Sequence, residues 1–106
     1  MDKLPGPYEA FRKEHADLWK AYENLGMAAA REGPLDQQMR ELIKLGMAAA
    51  YGSESAVHSH THRALEAGCT QAEIEHAILL GITTLGFPTT MAALTWAKEA
   101  IQAHHS

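Results

Sequence analysis

AVHSHTHRALEAG, residues 56–68, sets histidines at alternate positions 58, 60 and 62. On a strand all three would share one side. On a helix, where successive residues turn by about 100°, His58 and His62 lie together and His60 points elsewhere. No run of β-branched residues occurs between Ser53 and Ala67, and Gly68 stands where helices commonly close in the left-handed conformation. The stretch is therefore read as a helix, and the trio cannot close on one metal ion.

Working outward, the same reasoning predicts helices on both sides. Asp36 offers a side-chain acceptor to the opening amides of "DQQMRELIKLGMAAAYG". In that helix Met39, Leu42, Ile43, Gly46 and Ala50 share one face, and Glu41, Leu45 and Ala48 lie opposite. Such a helix is expected to be covered on two sides, one of which carries a carboxylate. Further upstream, Tyr8, Phe11, His15, Leu18, Tyr22 and Leu25 recur at spacings of three and four. They predict one long amphipathic helix that opens after Pro5 and Pro7, can kink at Gly26, and stops at "EGP", with Gly33 as its cap. Downstream, Thr70 and Glu73 match a capping box that opens a helix through "IEHAILLGITTLG". Ile74, Ala77, Ile78, Leu80, Gly81 and Leu85 make it apolar nearly all round, which implies burial by several neighbours. "GFP" then breaks the chain, and Pro88 suits the first turn of a last helix, "TTMAALTWAKEAIQAHH". The hexapeptide LGMAAA at 25–30 and again at 45–50 has unmatched flanks, so it is read as close alanine packing rather than as a structural repeat. With no strand signal, the chain is predicted to be all-α, a single domain over residues 1–106.

Composition narrows the function classes. A chain of 106 residues, 46% hydrophobic and 21% charged, is expected to fold around a modest core. A net charge of -4 without a Lys/Arg cluster argues against a nucleic-acid partner. The opening "MDKLPGPYEAFRKEH" lacks the apolar centre of a signal peptide, and no apolar run approaches membrane-spanning length, so no membrane partner is expected. The single cysteine, Cys69, excludes an intrachain disulfide and favours a reducing, cytoplasmic setting.

Among the polar residues, Glu41 and His60 each sit on an otherwise apolar helix face. A carboxylate beside an imidazole in a partly dry site has both pKa values shifted toward acid–base work. The plainer alternatives are a surface ion pair of Glu41 with Arg40 or Lys44, and a hydrogen-bonded core histidine. His58 and His62 are read as a polar, solvent-facing pair. No metal site is expected from them, because no carboxylate appears at comparable spacing to complete the ligand set.

Glu41, followed by His60, Ala64 and Gly68, then Glu73-Ile74, then Gly86-Phe87-Pro88, all preceded by "PLDQQMREL", resembles the carboxymuconolactone decarboxylase family, which includes the alkylhydroperoxidase D-like proteins. The resemblance covers residues 34–95. It implies an alkylhydroperoxidase D-like domain of about five to six helices, assembled as a homotrimer or homohexamer, with sites near subunit interfaces. The family's peroxidase branch carries a CxxC pair just before its histidine. Here those positions hold Ser53 and Ala56, which cannot reduce a peroxide, and Cys69 lies beyond the helix. The decarboxylase branch lacks the cysteines and keeps the glutamate, the histidine and "GFP".

The resulting expectation is a lyase-type enzyme that uses Glu41 and His60 on a small acidic or lactone substrate, with Arg40, Arg63 and Phe87 as substrate contacts and no metal or cofactor. The alternatives are a peroxidase-type oxidoreductase and a non-catalytic oligomer that binds a small ligand.

Overall fold

The structure, a computed structural model, describes residues 6–105, with side chains from Tyr8 onward. The fold is all-α. Seven helical segments follow in order among the described residues: α1 (Gly6–Glu14), α2 (Ala16–Arg31), α3 (Gln37–Tyr51), α4 (Glu54–Glu66), α5 (Gln71–Leu79), α6 (Ile82–Leu85) and α7 (Phe87–His104). The expected five to six helices become seven because two predicted helices are each divided. Contacts group the residues into two units, one up to Leu35 and one from Asp36 onward.

In the first unit the predicted long helix is interrupted, at His15 rather than at Gly26. His15 leaves the helical region at φ -133° and ψ 58°, and α2 then runs through Gly26 without a break. The rings of Phe11 and His15 lie 5.0 Å apart and those of Phe11 and Trp19 6.2 Å apart, an aromatic cluster gathered around the interruption. α2 ends on Glu32 in a right-handed conformation, so Gly33 does not act as a left-handed cap. Pro7 falls in the first turn of α1, whereas Pro5 lies outside the described residues.

Caps account for most boundaries in the second unit. The Asp36 side chain accepts from the Met39 amide at 2.9 Å and opens α3. Ser53 accepts from the Ala56 amide at 3.2 Å and opens α4. The predicted glycine ends α4: Gly68, at φ 97°, donates to the Leu65 carbonyl while the Cys69 amide donates to Ala64, a Schellman closure. Thr70 and Glu73 form the expected capping box on α5. Pro88 stands in the first turn of α7.

The continuous helix expected through Leu85 stops instead at Leu79, and α6 is a separate turn. Gly81 packs so closely that a Cβ there would stand 3.0 Å from the Ile78 carbonyl and 3.1 Å from the Thr90 hydroxyl. That approach brings the start of α7 against the end of α5, which a straight helix could not do.

The core joins Leu45, Ala48 and Ala49 of α3, Val57 and Ala64 of α4, Ile74 and Ile78 of α5, and Ala93, Ala97 and Ile101 of α7, with Cys69 at its edge. α4 packs between α3 and α7. Of the two apolar faces predicted on α3, the Glu41–Leu45–Ala48 face is covered and the other only in part: Leu42 packs against the core, while Met39 and Ile43 stay exposed, as does Met47. Leu80 is likewise exposed rather than buried. The two copies of LGMAAA part company in the same way: Ala48 and Ala49 are core residues, while no residue of α2 is buried.

Candidate functional site

The antiparallel neighbours α3 and α4 are held in register at one end by Gln38, whose side-chain amide donates to the Ala67 carbonyl at 2.9 Å. One turn along, α3 presents Glu41 on the same face as the fully buried Leu45. α4 presents His60 between Val57 and Ala64, both fully buried. His60 Nδ1 lies 3.1 Å from Glu41 Oε1, with the two side chains only 20% and 14% exposed. The two residues singled out from the sequence are therefore hydrogen-bonded partners.

The electrostatics of this pair follow from its setting. Burial pushes the Glu41 carboxyl upward, but the hydrogen bond from His60, with the charges of His60, Arg63 and Lys44, outweighs it and leaves the group below its ordinary value. Glu41 is thus an anion that accepts from Nδ1–H. That interaction fixes the ring's tautomer and leaves Nε2 as the nitrogen able to take or give a proton.

The other expected residues are placed less centrally. Arg63 is exposed and acts on Glu41 through its charge. Arg40, next to Glu41 on α3, is half-buried. Phe87 opens α7 with 61% of its surface exposed. Ser53 and Ala56 are partners in the α4 cap. Cys69 is buried, with Sγ 3.8 Å from the Gln38 carbonyl, and burial followed by the charges of Glu73, Glu41 and Asp36 raises its thiol pKa.

A cleft of about 390 Å³ opens between α3 and α5, lined by Leu42, Ile43, Gly46, Glu73, His76, Ala77 and Leu80. Neither Glu41 nor His60 lines it. One sequence expectation needs correction: His58 and His62 do not form a mutual, solvent-facing pair, since both turn toward α7. His58 Nε2 lies 3.2 Å from Glu99 Oε1, and His62 Nδ1 lies 3.3 Å from His104 Nδ1. Carboxylates do stand near His58: Glu54, one turn earlier on α4, and Glu99 from α7. The first was legible at a spacing of four, and the second only from the packing of two helices distant in sequence.

Known proteins share this chain's sequence pattern and its all-α fold. The sequence profile of the carboxymuconolactone decarboxylase family matches residues 16–99. The chain belongs to that family. It is 28% identical over 86 residues to an uncharacterized protein of Methanocaldococcus jannaschii, across 81% of this chain and 80% of the other. It is 38% identical over 52 residues to an uncharacterized Haemophilus influenzae protein, across 49% of this chain and 46% of that protein. Among solved structures, the apo form of lpg0406, a family member from Legionella pneumophila, superposes with a TM-score of 0.82 at 26% identity, covering 94% of this chain and 88% of that one. A Burkholderia xenovorans protein proposed to be a carboxymuconolactone decarboxylase shares the fold at a TM-score of 0.74 and 23% identity, over 97% of this chain and 84% of the other. Among the described residues, no helix of this family member is long and apolar enough to cross a membrane.

Proposed function

We propose that this family member is a cofactor-free lyase that works by acid–base chemistry on a small acidic or lactone substrate, with Glu41 and His60 as its proton-handling pair. The observation that carries the reading is the 3.1 Å contact between two side chains that the surrounding helices largely shield from water. In a decarboxylation the carbon–carboxylate bond breaks, CO2 departs, and the electron pair remains on the substrate as an enolate. His60, protonated and held by the Glu41 anion, delivers a proton to carbon in place of the lost CO2. Arg63 and Arg40 stand on the two helices that carry the pair and supply positive charge for a substrate carboxylate or the developing oxyanion. Phe87 offers an exposed apolar surface at the start of α7.

In this reading residues 1–106 act as one family domain, supported by a profile match that runs across both units. The chain works in the cytoplasm as a homotrimer or homohexamer, and the open apolar side chains Met39, Ile43 and Met47 of α3 and Leu80, just past α5, supply surface for assembly. Thiol peroxidase chemistry is disfavoured, because a buried thiol with a raised pKa is a poor nucleophile toward peroxide.

The test is CO2 release from a panel of small lactone and keto carboxylates by the wild-type protein and by Glu41→Gln and His60→Gln. The expected result is turnover that each variant lowers by at least about a hundredfold while the fold and oligomer persist. Turnover unaffected by either change would refute the assignment. A second reading, small-ligand binding without catalysis, draws support from the cleft between α3 and α5 lying apart from the pair; it predicts saturable binding that both variants retain.

A further inference from the structure

On the face of α4 opposite the Glu41–His60 pair, three metal-type donors converge. Glu54 and His58 are one turn apart on that helix, and Glu99 reaches them from α7. One ligand atom from each lies within 4.8 Å of the other two, and the His58 Nε2 to Glu99 Oε1 distance is 3.2 Å. Two ligands on a tetrahedral zinc ion, each at about 2.0–2.1 Å, stand about 3.3 Å apart, so one edge of a coordination shell is already in place. Glu54 is exposed, so its side chain has room to rotate toward the other two ligands.

We propose that Glu54, His58 and Glu99 form a binding site for a divalent transition-metal cation of the zinc type, held across the α4–α7 seam. Three observations converge on it. The donor set is mixed, one imidazole and two carboxylates, the composition that suits borderline divalent metals rather than a purely acidic patch. Its charge is also unbalanced: two carboxylates carry more negative charge than the imidazole can offset in either protonation state, and a dication placed among them removes the deficit. The scaffold is rigid as well, since the residues flanking the ligands, Val57 on α4 and Ala97 and Ala100 on α7, are buried in the core. Three protein ligands leave a coordination position for water or for an anionic group, as at reactive rather than purely structural sites. The site is separate from the acid–base pair and does not rest on the proposed lyase activity.

The probe is zinc chloride alone, titrated calorimetrically into the full chain carrying no histidine tag, with cobalt(II) as a spectroscopic substitute. The expected result is saturable binding of one ion per chain, weakened at least about tenfold by each of His58→Ala, Glu99→Gln and Glu54→Gln. His62→Ala and the double change His104→Ala/His105→Ala are expected to leave it within about threefold. Circular dichroism melts report whether each variant is folded, and the visible cobalt band of the wild-type protein reports coordination independently of any substitution. Absence of saturable binding, weakening below tenfold in any of the three ligand variants, or loss on changing His62 or His104 would overturn the assignment.

Discussion

Replacing Glu41 with glutamine removes the negative charge that faces His60 while keeping an oxygen acceptor at nearly the same place. The native contact is 3.1 Å long between side chains 14% and 20% exposed, so solvent screens it only partly. A hydrogen bond with one ionised partner contributes about 1.5–3 kcal/mol, and a neutral one about 0.5–1.5 kcal/mol. Glu41→Gln is therefore expected to cost about 1–1.5 kcal/mol, and Glu41→Ala, which leaves the imidazole unpaired in a half-buried site, about 2–3 kcal/mol. For a domain of this size each kcal/mol lowers Tm by about 4–8 °C, so the two variants are readily separated. Urea unfolding at a fixed protomer concentration provides the free energies, and the double variant with His60→Ala closes a cycle that isolates the pair. The dependence on pH has a definite sign. The folded-state pKa of Glu41 is lowered, so its stabilising contribution is complete above the ordinary carboxylate range and is lost as pH falls through the lowered value. The stability gap between wild type and Glu41→Gln should shrink as pH falls below the ordinary carboxylate range, about 4. A coupling energy under about 0.5 kcal/mol, or a gap that widens as pH falls, would refute the reasoning.

The packing around Gly81 and Gly46 leads to opposite outcomes for one substitution. Gly81→Ala places a Cβ 3.0 Å from a backbone oxygen and should cost about 1–3 kcal/mol, whereas Gly46, in mid-helix with nothing within 4 Å of its added Cβ, should become about 0.5–1 kcal/mol more stable as alanine; chemical denaturation of both variants checks the pair. Cys69, buried and with a raised thiol pKa, should react with a neutral-pH thiol reagent at least about tenfold more slowly in the native protein than after unfolding in urea; equal rates would contradict its placement.

Helix boundaries governed by neighbours in the chain were legible in the sequence itself. Asp36, Thr70 with Glu73, Gly68 and Pro88 act within one turn of backbone, and helical periodicity was enough to separate His60 from His58 and His62 and to mark it and Glu41 as polar residues on apolar faces. The tertiary structure decided what depends on residues far apart in the chain. It covered one face of α3 fully and left Met39 and Ile43 of the other open, although periodicity marked both faces apolar. It divided the helix after Leu79, because Gly81 must admit Thr90 from α7. It opened a cleft between α3 and α5, lined by side chains from both helices. It also brought Glu99 to His58 across 41 residues of sequence. Periodicity assigns a side chain to a face of its own helix, but the group that meets that face is chosen by how helices pack, and that choice belongs to the whole core.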